Sequence, residues 1–161
     1  MAIAYLGLGG NLGDPVATLH AAIQALDTLP GTRLLAASRL YRTPAWGRTD
    51  QPAFVNAAAA VETTLSPEAL LEALLGLERQ FGRERVDGER WGPRTLDLDV
   101  LLIGDQVIDH PRLSVPHPHL HERAFALLPL AEIAPLVEIP GHGTVQAVLD
   151  GMESGGLVPI E

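Results

Sequence analysis

Cysteine is absent from this 161-residue chain, and so is lysine: all eleven of its cations are arginine. Without cysteine there are no disulfides, thiolate nucleophiles, iron–sulfur clusters or cysteine zinc sites, which leaves oxygen and histidine as metal donors. Without lysine there is no Schiff-base amine and no Walker-type phosphate lysine. Aromatic residues make up only 4% of the chain, two Trp, two Tyr and three Phe. No apolar run reaches the ~18 residues that cross a bilayer, and Met1 leads straight into a strand-like segment with no basic leader or cleavage site. A cytoplasmic protein is therefore expected. Positive charge is scarce: eleven basic against twenty acidic residues give −9, which argues against a general binder of nucleic acid or anionic membrane. What remains is 47% hydrophobic and 19% charged. That composition suits one folded domain over residues 1–161, with about two-thirds of its unfolded surface buried.

Along the chain, residues 3–8 (IAYLGL) form an apolar run ending in glycines, which reads as a buried strand. Asp14-Pro15 supplies an N-cap and a first-turn proline, and Val16, Leu19, Ala22, Ile23 and Leu26 recur at helical spacing toward a stop at Pro30-Gly31. Residues 33–43 and 53–63 read as two strands joined by a loop over 44–52. Ser66-Pro67-Glu68 repeats the helix-start signature, and Leu70, Leu71, Leu74, Leu75, Leu77, Glu78 and Phe81 continue a helix to Gly82. Residues 95–103 (TLDLDVLLI) alternate and then turn uniformly apolar, as a strand does on entering a core. Residues 122–133 predict a third helix interrupted at Pro129, and 144–149 a short one. The order β-α-β-β-α-β plus a C-terminal helix is the split βαβ or ferredoxin-like plan, an α+β sandwich expected to carry its helices on one face of a mostly antiparallel sheet.

Chemistry concentrates at Asp97 and Asp99. Two residues apart on a strand, they face the same way with Cα atoms about 6.5 Å apart. Two desolvated carboxylates on one face need a cation between them. Either a divalent ion such as Mg²⁺ supplies it, or the pair is an exposed edge-strand pair, solvated or bridged to Arg94. Just upstream, residues 82–94 (GRERVDGERWGPR) carry Arg83, Arg85, Arg90 and Arg94. Guanidinium forks match phosphate oxygens, and glycines let a loop swing them onto a polyphosphate; the alternative is a salt-bridged surface loop, since Glu84, Asp87 and Glu89 nearly cancel the charge. Acid pair, cation and arginines side by side make a site for a triphosphate.

Other features carry less. Residues 7–13 (GLGGNLG) imitate a dinucleotide or phosphate loop, but the third glycine is one position late and no GK[ST] follows, so the glycines are read as supplying positive φ and close backbone approach. His117, His119 and His121 alternate between prolines, a pattern of solvent-facing or hydrogen-bonded histidines more than of a zinc site. Trp46, Phe54, Trp91 and Phe125 sit beside loops near the charged segments, either as core or together as a slot for a flat heterocycle. Glu78 reads as a solvent-facing or arginine-paired carboxylate.

Residues 90–99 (RWGPRTLDLD), with Tyr41-Arg42-Thr43-Pro44 and Phe54-Val55-Asn56-Ala57-Ala58 before them and Val115-Pro116-His117 after, strongly resemble the 6-hydroxymethyl-7,8-dihydropterin pyrophosphokinases of folate biosynthesis, in order from about residue 3 to residue 140. The resemblance implies a ferredoxin-like monomer that moves the β,γ-pyrophosphoryl group of MgATP to the pterin hydroxymethyl oxygen, leaving AMP. It implies that Asp97 and Asp99 hold two Mg²⁺ ions, that Arg83, Arg94, His117 and Arg123 contact phosphates, and that Arg85 rides a mobile lid. Phe54 and Phe125 would sandwich the pterin, Asn56 and the backbone of Thr43, Pro44 and Trp46 would read its polar edge, and Trp91 would close over it. Val100, Arg112 and Ser114 are similar to positions lining ATP. The chain departs from the family pattern at Gly9-Gly10-Asn11, where Gly-Ser-Asn is usual, around Gly88, where the loop is one residue longer, and at Leu75, where a polar residue often sits. Two other readings use the same features differently. A two-metal phosphohydrolase needs the carboxylates but no aromatic slot, and a small-molecule-sensing module leaves the aspartates and arginines idle.

Overall fold

The computed structural model describes residues 1–11, 13–43, 54–81, 95–153 and 156–160. Within them the order is β1 (Ala2–Gly10), α1 (Pro15–Leu26), β2 (Thr32–Ala37), β3 (Leu40–Thr43), β4 (Phe54–Thr63), α2 (Pro67–Gln80) and β5 (Asp97–Ile103). A ribbon, β6 (Ile108–His110) and β7 (Leu113–Val115), leads through a 3₁₀ turn (Leu120–Glu122) into α3 (Ala124–Ile133). Then come β8 (Glu138–Ile139), β9 (Gly143–Thr144), α4 (Val145–Asp150) and β10 (Val158–Ile160).

Both early helices start as the sequence predicts. The Asp14 carboxylate accepts the Ala17 N–H at 3.2 Å and the Ser66 hydroxyl accepts the Ala69 N–H at 3.1 Å, each followed by a proline that has no N–H to leave unpaired. The main sheet is antiparallel throughout, ordered β10-β3-β4-β1-β5, with β2 also pairing to β4. Since β1 and β2 flank β4 and are joined through α1, this is the ferredoxin-like split βαβ.

The expected single strand over 33–43 breaks at Ser38. Its hydroxyl accepts the Ala58 N–H at 2.9 Å and donates to the Arg39 carbonyl at 2.6 Å, standing in for backbone pairing where β2 hands over to β3 along β4. Pro129 lies inside α3 and does not interrupt it. It removes only the N–H that would have reached the Phe125 carbonyl. The expectation of helices on one face is also corrected. Leu6, Leu8, Ala57, Ala59, Val61, Leu98 and Val100 pack with α1 and α2 in one core, whereas Ala58, Leu101 and Leu102 pack with α3 and α4 in a second. Alternate residues of β4 divide between the two, so they lie on opposite sides of the sheet. The third helix read as merely additional is what covers that second face. No helix among the described residues is long and apolar enough to cross a membrane.

Candidate active site

Asp97 and Asp99 open β5, half-buried, on the face that Leu96, Leu98 and Val100 turn away from. In register, Asp97 lies opposite Gly9 and Asp99 opposite Gly7, and on the other side of β1, Gly9 lies opposite Asn56. Directly opposed residues share a face, so Asn56, Gly9 and Asp97 form one row across three strands, with Asn56 and Asp97 Cα atoms about 10 Å apart. The middle of that row has no side chain. A Cβ at Gly9 would stand 2.9 Å from the Asn56 Oδ1, so glycine is what lets the Asn56 amide lie against β1. The glycine run is thus close approach within a strand. Among the described residues of that run, only Gly13 has a positive φ, 66°.

Asn56 is buried, and its Nδ2 donates to the Thr43 Oγ1 at 2.9 Å. That bond fixes the amide and leaves its second N–H and its carbonyl oxygen with capacity for a ligand edge. Phe54, two residues earlier on the same face and opposite Thr43, is half-buried.

The other wall comes from the chain after β7. A bulge in the β1–β5 pairing leaves Leu101 as the extra residue, and its carbonyl accepts the His117 N–H at 3.0 Å. His117 is thereby pinned beside β5. Burial, then the charges of Arg123 and His119, hold its imidazole down at about 4, against a weaker upward pull from Asp97. The same interactions place His117 within electrostatic reach of both Arg123 and Asp97. The His119 N–H donates to His117 Nδ1 at 3.1 Å, so the neutral ring carries its proton on Nε2. Arg123 precedes α3, with its guanidinium carbon 5.6 Å from the Phe125 ring centroid.

Thr43, Phe54, Asn56, Asp97, Asp99, His117, Arg123 and Phe125 thus gather around one end of the sheet. Val100 does not join them through its side chain, which is buried in the core under α1 and α2. Arg112 and Ser114 are exposed on the β6–β7 ribbon, where Arg112 pairs with Glu72 of α2. Pro44, Trp46, Arg83, Arg85, Trp91 and Arg94 lie outside the described residues, as does the register around Gly88. His119 is exposed, and His121 stacks on His142 with ring centroids 4.1 Å apart. Among the described residues no three His, Asp or Glu side chains gather as a metal cage. Two carboxylates on one face instead suit a hydrated Mg²⁺ that takes its remaining oxygens from water and phosphate.

Glu78 is not solvent-facing. It is 3% exposed at the end of α2, and its carboxylate accepts the Leu98 N–H at 2.7 Å, on the β5 edge between the two aspartates. The signal was in the helix period: 70, 74, 77 and 78 lie on one stripe, the buried one.

Residues 5–135 match the family described as 7,8-dihydro-6-hydroxymethylpterin-pyrophosphokinase, HPPK. Relatives named 2-amino-4-hydroxy-6-hydroxymethyldihydropteridine pyrophosphokinase include one from Methylorubrum extorquens, 47% identical over the full length of both chains. Another, from Pseudomonas aeruginosa, is 52% identical over 84% of this chain and 83% of its own. Among solved structures, wild-type HPPK-DHPS of Plasmodium falciparum superposes with a TM-score of 0.72 at 16% identity, over 93% of this chain. This chain spans only 41% of that one, and the likeness is one of fold. With a family match over most of its length and a 47% identical relative aligned end to end, the chain belongs to the 7,8-dihydro-6-hydroxymethylpterin-pyrophosphokinase family.

Proposed function

We infer that the chain transfers the β,γ-pyrophosphoryl group of ATP to the hydroxymethyl oxygen of 6-hydroxymethyl-7,8-dihydropterin, for folate biosynthesis. The hydroxyl oxygen bonds to the β-phosphorus, the bond from that phosphorus to the α,β-bridging oxygen breaks, AMP leaves, and the hydroxyl proton is released. The observation that carries this reading is the row Asn56–Gly9–Asp97, which puts an amide able to read a heterocycle edge and a carboxylate suited to a divalent ion about 10 Å apart across a bare strand.

Phe54 and Phe125 hold the flat ring between β4 and α3, and Asn56, supported by Thr43, orients it so that the hydroxymethyl group points toward Asp97. Thr43, Pro44 and Trp46 contribute backbone to the same edge. Asp97 and Asp99 would hold two Mg²⁺ ions. When bound, those ions neutralise triphosphate charge and draw nucleophile and phosphorus together. Arg123 presents a guanidinium beside Phe125, and the His117 Nε2–H donates a neutral hydrogen bond to a phosphate oxygen. Arg83 and Arg94 add phosphate contacts, Arg85 acts from a lid, and Trp91 covers the pterin. Val100, through its backbone, Arg112 and Ser114 line the nucleotide, with Arg112 leaving Glu72 to do so. Positioning and charge neutralisation carry such a reaction, so the site needs no nucleophilic side chain. The protein works as a monomer in the cytoplasm.

Incubation with MgATP and the hydroxymethyl pterin, followed by separation of nucleotides, tests the reading. AMP forms only when pterin is present; phosphate release without pterin would favour a two-metal phosphohydrolase instead. Asp97→Ala should abolish nearly all turnover while its circular dichroism stays that of the wild type. Near-normal AMP production by that variant would remove the metal assignment.

A further inference from the structure

We propose that Glu132, with Tyr41 and Arg39, is a positioning clamp that sets the width and alignment of the pterin slot by fixing α3 against β3. This rests on the placement of the ring between Phe54 and Phe125.

The slot has one wall on the sheet and one on α3, so its geometry depends on how that helix sits. The packing of α3 on the second core, through Leu127, Leu130 and Ala131, is apolar and non-directional. Glu132 adds direction near the far end of the helix. Its Oε1 accepts the Tyr41 hydroxyl at 2.5 Å and the Arg39 Nε–H at 3.2 Å, and its Oε2 accepts the Arg39 backbone N–H at 2.8 Å. Three donors from two residues of one strand end hold one carboxylate at both oxygens, which leaves little freedom to slide or rotate.

The strand so held also carries the sheet side of the slot. Tyr41 is 3% exposed and lies directly opposite Asn56, and Thr43, two residues on, accepts from the Asn56 amide. Residues 39–43 therefore hold the helix at one end and the ring-reading amide at the other. Along α3, Glu132 is seven residues from Phe125, about 10 Å, so a small tilt at the clamp moves the ring by a comparable amount. Tyr41, Arg39 and Glu132 touch no substrate and act on the pterin slot through Phe125 and Asn56.

The test measures pterin affinity, the Michaelis constants for pterin and ATP, and thermal midpoint in Tyr41→Phe, Glu132→Gln and Glu132→Ala, with Phe125→Ala beside them. Losing charge-assisted hydrogen bonds at the clamp should weaken pterin binding about 10-fold in Glu132→Ala and less in the other two, while the ATP constant stays within about twofold. Glu132→Gln keeps one acceptor and should recover part of the loss. Tyr41→Phe removes only a hydroxyl, so it reads the clamp even where Glu132→Ala does not fold. Unchanged pterin affinity in the clamp variants, where Phe125→Ala does weaken it, would overturn the clamp alone. Parallel losses of pterin and ATP affinity that track the thermal midpoint would also overturn it, as a purely structural contact. Unchanged affinity in Phe125→Ala would remove the slot and the clamp together.

Discussion

His117 owes its chemistry to where its backbone is tied. The bond to the Leu101 carbonyl draws the ring partly out of water beside Arg123, and both burial and that cation disfavour the imidazolium. A neutral ring whose Nδ1 already accepts from His119 has one remaining function, donation from Nε2, and that suits a phosphate oxygen without bringing a charge that titrates near neutrality. We expect proton NMR of the free protein to show His117 titrating near 4, with Nε2 protonated above it. Because the folded value lies below the ordinary 6.5, the unfolded chain binds the extra proton between the two, and stability falls as pH drops from 6.5 toward 4. A midpoint near 6.5 for this ring would contradict its burial and its assigned role. At this scale the sequence was readable where a period of two exposed it, at Asp97 and Asp99. For Glu78 the solvent-facing alternative fails, because its helical phase, and not its charge, decides its burial. His117 was ambiguous because the bulge that offers it the Leu101 carbonyl has no local sequence marker.

Among the elements, those long enough to show a period or a cap were legible: β1, β4, β5, α1 and α2 fall within a few residues of expectation. Strands of two or three residues, such as β6 to β10, contain no period to read, and β10 reaches β3 from more than 110 residues away in the chain. The Ser38 break was hidden for a similar reason, since it depends on the Ala58 N–H across the sheet. The glycines of β1 bear out the expected close backbone approach, within a strand. They look like a loop, yet Gly9 is in a strand, and its missing Cβ serves the neighbouring Asn56. Gly9→Ala tests this. Placing a methyl carbon 2.9 Å from the Asn56 Oδ1 must turn the amide away or open the strands, since Thr43 holds the other end. The variant should fold with a loss of about 1–2 kcal/mol from overpacking, and its pterin Kd should rise at least about 10-fold with a near-normal ATP constant. Wild-type pterin affinity would mean that the Asn56 amide has room the register does not give it.

On the scale of the whole molecule, the two sides of the sheet are packed by different pairs of helices. Helices α1 and α2 pack on one face, while α3 and α4 pack on the other around Ala58, Leu101 and Leu102, and the row of Asn56, Gly9 and Asp97 continues that second face from the edge of their cluster. What holds that edge in place should be visible in the pH dependence of folding. Burial raises the affinity of the Glu132 carboxyl for its proton, but the hydrogen bonds from Tyr41 and Arg39 outweigh it and hold the group below the usual carboxylate range. A depressed carboxylate contributes stability that is present above its unfolded value of 4.5 and is lost as pH falls through the folded one. Tyr41 works in the opposite direction: burial first, then its bond to Glu132, push the phenol above 10. Its contribution is present below pH 10 and is lost as pH rises through the folded value. The −9 charge adds self-repulsion on the alkaline side, so the wild type should be most stable between these limbs. Denaturant titrations from pH 3 to pH 11 should show Glu132→Gln flattening the acid limb and Tyr41→Phe flattening the alkaline limb, each lowering the plateau between. If both variants lower the plateau but keep the wild-type limbs, the clamp contributes packing alone, and the protons that unfold the molecule act elsewhere.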